Sequence, residues 1–330
     1  MFQKGIKILG TVIGVASNNK EIISDPEYFE GKGQHLHSLL SNFHKLEEVD
    51  FSLSQAFFYV LDLDREKPEI FYNSRRDQIF VVGNFGKLEK TTPDKRPTLF
   101  GNMGLFNRFC LLCLERFSGI YSLHATSAYD PEKNELFIIV GSSGSGKSAV
   151  LLSAISHNLK LFSSEMTHFK VEKEGIFFFK GALYHNVRVG SLARDFPSVA
   201  EKLGIRIPEV KDVWNSYFSV CMSSVQEKRD VLVNPKIRII FPKIEFNIKK
   251  PIINSIPRKN LPQMLFHSAS EKIVEVKFLY NLVPVGSIDK KEFAEERFGT
   301  MREFVEKSEI LSSEEIIASA GNCLDKFFVT

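Results

Sequence analysis

Between residues 137 and 155 the chain reads FIIV, then GSSGSGKS, then AVLLSAI. An apolar run of strand length, a loop of glycine and serine, and an apolar helical pattern follow one another without a spacer. The loop residues Gly141, Ser142, Ser143, Gly144, Ser145, Gly146, Lys147 and Ser148 fit G-x-x-x-x-G-K-[ST] at every fixed position. This constrains the fold, because a strand must deliver the chain straight into a helix N-terminus. A phosphate chain needs several backbone N–H donors turned toward one centre. Glycine lets the backbone curl that tightly and lets oxygens approach with no Cβ in the way. The helix expected from Lys147 presents unpaired N–H groups and the positive end of its dipole. Lys147 adds a point charge for the outer phosphates, and Ser148 a hydroxyl for Mg²⁺. The loop therefore predicts binding of ATP, or a similar nucleotide, with Mg²⁺.

The 330 residues, 43% hydrophobic and 25% charged, predict a globular chain with two domains or one large domain and an appendage. A formal charge of +3 is too small to point to nucleic acid. No apolar stretch approaches the roughly 20 residues of a membrane span. The N-terminal MFQKGIKILG lacks the apolar segment and cleavage site of a signal peptide. Cys110, Cys113, Cys221 and Cys323 are too scattered for a disulfide framework. A cytoplasmic protein with no membrane partner is expected. The 30 phenylalanines read most simply as core filling.

Along the chain, residues 7–16 predict a strand, and the spacing of Leu36, Leu39, Leu40, Phe43 and Leu46 a helix over 34–47. Strand-like runs at 57–64, 69–74 and 78–84 predict an antiparallel meander. The polar stretch 87–97 is the candidate linker. The expected division is an α+β N-terminal region over 1–96 and a nucleotide-binding domain over 97–330. In the second part a helix over 99–117, a strand over 121–129 and a strand over 135–141 lead into the loop. A helix over 147–157, a strand over 159–165 and a hairpin turning near Glu174 and Gly175 follow. Strands are expected at 238–246 and 272–281. Capping-box patterns at Asp289 with Glu292, and at Ser312 with Glu315, predict helices to about 308 and 327.

Loops of this type usually work with an apolar strand ending in Asp, which holds Mg²⁺ through water. Here the nearest counterpart is LKLFSSE, ending in Glu165. In a parallel or mixed sheet that strand end lies on the same edge as the loop, so Glu165 is the candidate metal ligand or base. The run FFYVLDLD, with Asp62 and Asp64, lies far upstream and reads as a strand entering a turn.

The stretch 122–165, SLHATSAYDPEKNELFIIVGSSGSGKSAVLLSAISHNLKLFSSE, resembles the kinase core of HPr kinase/phosphorylase and its relatives. That family shares its nucleotide-binding fold with phosphoenolpyruvate carboxykinase. Its pattern is a His before a hairpin strand, G-x-S-G-x-G-K-S, one helix, and a short apolar strand ending in two acids. His124 takes the His place, and residues 141–148 match the loop. RVGSLARDFPSV at 188–199 resembles the corresponding segment of the broader relatives. The resemblance implies an α/β fold: a mixed β-sheet core with flanking helices, plus the smaller N-terminal region. It implies ATP, Mg²⁺, oligomers, and transfer of the γ-phosphoryl to a hydroxyl on a protein or small molecule. It marks His124 and Glu165 as catalytic candidates. The departure is Ser164, which stands where the family has its catalytic acid and cannot accept a proton at neutral pH. Either Glu165 has taken over, or the chain is a non-catalytic ATP-binding sensor or assembly protein.

Other candidates read more plainly. Cys110-x-x-Cys113 lies in an apolar helical run and reads as buried thiols. His35 and His37 fall on different faces of the expected helix. The basic residues between 236 and 260 read as a solvated strand face. Arg188, Arg194 and Arg258 are candidates to reach the nucleotide, since phosphoryl transfer rewards positive charge near the equatorial oxygens.

Overall fold

The computed structural model describes residues 1–24, 29, 39–65, 67–91, 97–274, 278–280 and 283–328. The fold is mixed α/β, with several sheets that combine parallel and antiparallel pairing and carry flanking helices. The chain divides into two compact units: Met1–Tyr121 with Ser270–Glu295, and Ser122–Ala269 with Glu296–Thr330. The boundary expected between residues 96 and 97 falls inside the first unit. No helix among the described residues is long and apolar enough to cross a membrane.

The first unit holds β1 (Phe2–Ile8), β2 (Thr11–Ser17), α1 (Lys20–Ile23), β3 (Glu47–Val49), β4 (Ala56–Asp62), β5 (Glu69–Asn73) and β6 (Gln78–Gly83). Their order in the sheet is β3-β1-β2-β4-β6-β5. The single strand expected at 7–16 is instead a β1–β2 hairpin, turned by Leu9 at φ 47° and Gly10 at φ 93°. The expected meander is also corrected. The chain runs from β4 out to the edge strand β5 and returns antiparallel to it, so β6 lies parallel to β4. Strand β4 is in turn parallel to β2.

Helices α2 (Phe85–Thr91), α3 (Pro97–Phe100) and α4 (Leu105–Cys113) follow, with a wide turn over Leu114–Ser118. The continuous helix expected over 99–117 is broken at Gly104, where a Cβ would stand 2.8 Å from the Leu99 backbone. Many of the phenylalanines fill this core. Phe58 meets Phe106 edge-on at 5.1 Å, with Phe100 and Phe109 around it. Such ring pairs add about 0.5–1.5 kcal/mol beyond area burial. Residues 39–41 form a short 3₁₀ turn rather than part of a helix to residue 47. Residues 34–38, with His35 and His37, and residues 92–96 of the candidate linker lie outside the described residues. Residues 87–91 belong to α2. A two-strand pair, β18 (Phe278–Leu279) and β19 (Val283–Pro284), also lies in this unit.

The second unit is built on β8 (Ala125–Asp130), β9 (Glu135–Val140), β10 (Lys160–Ser163), β16 (Lys236–Ile244), β17 (Ile252–Ser255) and β20 (Ile310–Ala318), in the order β10-β8-β9-β16-β20-β17. Strands β9, β16 and β20 are mutually parallel. Strand β8 is antiparallel to both β9 and β10, so β10 runs the same way as β9. The carboxyl ends of β9, β10, β16 and β20 therefore share one edge. Helix α5 (Lys147–Ser156) packs on this sheet through Val150, Leu151, Leu152, Ala154 and Ile155, all buried. Burying a Val, Leu or Ile side chain contributes about 1.5–3 kcal/mol.

A second sheet takes the order β15-β12-β11-β7 from β7 (Ile120–Leu123), β11 (Thr167–Val171), β12 (Ile176–Phe179) and β15 (Val231–Val233). Strands β13 (Tyr184–Arg188) and β14 (Tyr217–Cys221) form an antiparallel pair of their own. Helices α6 (Pro197–Leu203), α7 (Leu261–Val274), α8 (Lys291–Lys307) and α9 (Asn322–Phe328) complete the list.

Two expectations fail here. The strand expected at 272–281 begins inside α7, which runs to Val274. The helix expected from Ser312 is the interior strand β20, hydrogen-bonded to β16 on one side and β17 on the other.

Candidate functional site

Strand β9 ends at Val140 and releases the chain into the loop 141–148 at the carboxyl edge. Gly146 stands at the N-cap of α5 with φ 109°, and Gly144 turns the loop tip with φ 84°. L side chains rarely adopt either conformation. Gly146 is further constrained, because a Cβ there would lie 2.1 Å from Ile244 Cγ1 at the end of β16. The loop is tied down at that point by the Ile244 N–H, which donates to Ser145 O at 3.2 Å. No side chain caps the first turn of α5, so its positive end faces the loop without a competing acceptor. Lys147 is buried, and its Nζ donates to Gly141 O at 2.6 Å and Ser142 O at 3.1 Å. Its ammonium thus sits across the start of the loop.

Glu165 follows β10 on the same edge. His124, between β7 and β8, meets it: His124 Nε2 lies 3.2 Å from Glu165 Oε1. His124 is 2% exposed and its carboxylate partner 33%, so the pair has one side in the protein and one open. The His124 backbone is fixed through its N–H to Ser268 O at 3.2 Å. Two residues 41 positions apart in sequence are thereby brought into contact.

Ser164 is buried and turned away from any reactive role. Its Oγ donates to Tyr184 O at 2.7 Å and its N–H to Ala182 O at 3.0 Å. These bonds hold β13 against the end of β10 and bring in His185, which the sequence reading did not single out. His185 is 3% exposed. Burial holds its imidazole below the ordinary histidine range; Glu165 pulls it back up and Lys147 pushes it down. The sequence signal was thin: one histidine in the strand pattern YHNVR.

The remaining candidates separate. Arg188 lies on the exposed end of β13, its guanidinium 5.4 Å from the centre of the Tyr217 ring. Arg194 is exposed in the turn Ser191–Asp195. Arg258 is committed elsewhere: its Nη2 donates to Val305 O and, at 3.1 Å, to Ser308 O, closing the end of α8. In the basic stretch, Arg238 pairs with Glu135 at 2.9 Å and Lys243 with Glu245 at 2.8 Å. Cys110 and Cys113 are buried, and burial pushes both thiols well up, as inert core cysteines require. Asp62 and Asp64 belong to the first unit. Among the described residues no group of three or more His, Cys, Asp or Glu converges to hold a metal ion.

No protein-family model matches this chain, and a search of curated proteins returns no significant match.

Proposed function

We propose that the second unit binds ATP with Mg²⁺ and transfers the γ-phosphoryl to a hydroxyl, in the manner of an HPr-kinase-like phosphotransferase. The observation that carries this reading is the approach of His124 to Glu165 at 3.2 Å, on the sheet edge that also bears the 141–148 loop. The backbone donors of Gly141, Ser142, Ser143, Gly144, Ser145 and Gly146, with the Lys147 ammonium, cradle the phosphates. The strained glycines and uncapped helix support that role. The chemistry of the donors fits Mg²⁺, which prefers few protein oxygens and keeps phosphate oxygens and waters as its other ligands. Ser148 is its direct ligand in this reading, with Glu165 at the same edge. When bound, Mg²⁺ neutralises charge on the outer phosphate oxygens. Glu165, oriented by His124, acts in this reading as base or metal ligand.

Glu165→Gln tests this directly. The variant keeps the shape and loses the charge. Phosphate release from Mg-ATP is expected to fall on the order of 100-fold, while nucleotide affinity stays within about twofold (~0.4 kcal/mol) of wild type. Undiminished release would remove Glu165 from the mechanism.

A second reading is favoured by the burial of Ser164, whose hydroxyl is spent on Tyr184 O. In that reading the protein binds ATP without transferring it, as a sensor or assembly partner. Binding by wild type with no phosphate release would select it.

A further inference from the structure

In the proposed site the γ-phosphoryl faces Glu165, which follows β10, so the nucleoside end of the molecule leaves the loop in the other direction. In the strand order β10-β8-β9-β16-β20-β17 that direction lies over the carboxyl ends of β16 and β20. Strand β16 is fixed to the loop at that edge. The Ile244 N–H donates to Ser145 O at 3.2 Å, and the Ile244 side chain fills the space beside Gly146. Two residues on stands Phe246, its Cα within roughly 7 Å of the Ile244 Cα by covalent geometry alone. Phe246 is 95% exposed; the next most exposed phenylalanine among the described residues is Phe278, at 53%. A ring this bare forgoes the burial that an aromatic side chain ordinarily contributes. The turn that presents it is nonetheless firmly built. The Glu245 N–H donates to Ala318 O at 2.9 Å. The Ser319 hydroxyl donates to Glu245 O and accepts from the Ile248 N–H, each at 2.8 Å. Asn247 takes φ 64°, a conformation that asparagine tolerates better than most residues. These bonds tie the turn to the end of β20 and fix the backbone on either side of Phe246. An uncovered ring on a fixed backbone suits a second flat, apolar face, and its backbone loses little freedom when one arrives.

We infer that Phe246 stacks against the base of the nucleotide whose phosphates lie in the 141–148 loop. That assignment rests on the proposed nucleotide site and goes beyond it by naming the ligand class: a nucleoside triphosphate rather than a bare polyphosphate. The turn joins the ends of β16 and β20, one and two strand spacings from β9, or roughly 5–10 Å from the strand that delivers the loop. A ribose separates base from phosphates, and an extended nucleotide covers that span. Base–aromatic stacking tolerates any base, because every base has a π-face. Phe246 therefore distinguishes a nucleotide from a chain of phosphates, and not one base from another. The ring touches no reacting atom, so it acts on affinity and leaves turnover at saturation unchanged.

The test titrates Mg-ATP and Mg-tripolyphosphate into the full chain by calorimetry. Tripolyphosphate carries three linked phosphates and no base. Phe246 is almost wholly exposed, so Phe246→Ala leaves the fold intact. Its affinity for Mg-ATP is expected to fall on the order of 10-fold (~1.4 kcal/mol). Its affinity for Mg-tripolyphosphate is expected to stay within about twofold of wild type. Phe246→Tyr keeps the ring and is expected to hold Mg-ATP within about twofold of wild type. Undiminished Mg-ATP binding by Phe246→Ala overturns the inference and leaves the phosphate loop standing. Equal losses for the two ligands also overturn it, since they report a disturbed loop and not a lost stack. So does a loss in Phe246→Tyr as large as that in Phe246→Ala, the comparison that decides if tripolyphosphate binds too weakly to measure. Failure of wild type to bind either ligand strikes the nucleotide reading and this inference together, so the wild-type arm tells the two failures apart.

Discussion

Both units gather the carboxyl ends of parallel strands at one sheet edge, yet they finish those edges in opposite ways. In the first unit, β2, β4 and β6 end at Ser17, Asp62 and Gly83, and the polar groups of Asn18, Asn19, Asp62, Asp64 and Asn84 there satisfy one another. Asn18 exchanges bonds with the Asp62 backbone at 2.7 and 2.8 Å. The Asp62 carboxylate takes the Asn19 amide at 2.8 Å and the Phe85 N–H at 2.9 Å. Asn84 bonds Asp64 at 3.0 Å and caps the turn into α2 through the Lys87 N–H at 2.9 Å. In the second unit the corresponding edge has a helix without a side-chain cap, a loop held by glycines at positive φ, and a buried histidine nitrogen with no partner among the described residues. The same geometry is closed in one case and open in the other. A strand edge is a place where a ligand can bind, but the polar groups left uncommitted decide whether one has reason to.

That contrast can be broken at both ends. The largest effect is expected at the open edge. Gly146→Ala forces a Cβ into a backbone at φ 109° and against Ile244. Mg-ATP affinity should drop on the order of 100-fold, the cost of a strained and displaced loop, and a titration at fixed Mg²⁺ reads it. At the closed edge, Asp62→Ala removes the acceptor of two bonds. Urea unfolding should show a loss of about 2 kcal/mol, with nucleotide affinity unchanged; a change in affinity would mean that this edge is not merely structural. The smallest effect is expected for Ser164→Ala, about 1 kcal/mol of stability from one buried hydrogen bond. Its affinity for Mg-ATP should not move, since the hydroxyl is spent on Tyr184 O.

The open edge was more legible in the sequence than the closed one. A loop such as 141–148 announces itself because its residue types answer to a local need, the curl of the backbone around an anion. The strand FIIV before it and the helix after it were legible for the same reason: their apolar runs are buried on nearly every side. Glu165 could be placed at the loop's edge because one helix and one strand allow little freedom in the crossover. His185 could not, since it arrives on the antiparallel β13–β14 pair, whose position depends on contacts between residues far apart in sequence.

The failures are of the same kind. Ser312 and Glu315 present a capping box, yet hydrogen bonding to β16 and β17 outweighs that local preference and makes a strand. The turn at Leu9 was hidden because leucine is an unusual residue at φ 47°. The order β4-β6-β5 depends on which strand finds which partner, and three similar β-rich runs carry no local record of it.

The central claim is that the 141–148 loop holds nucleotide phosphates through its backbone and Lys147. The most direct measurement is calorimetric titration of Mg-ATP into the wild-type chain and into Lys147→Ala, whose side chain spans Gly141 O and Ser142 O in the structure. The account predicts saturable one-site binding by wild type and its loss in the variant. Absence of binding by the folded wild type, or equal binding by both proteins, would contradict it.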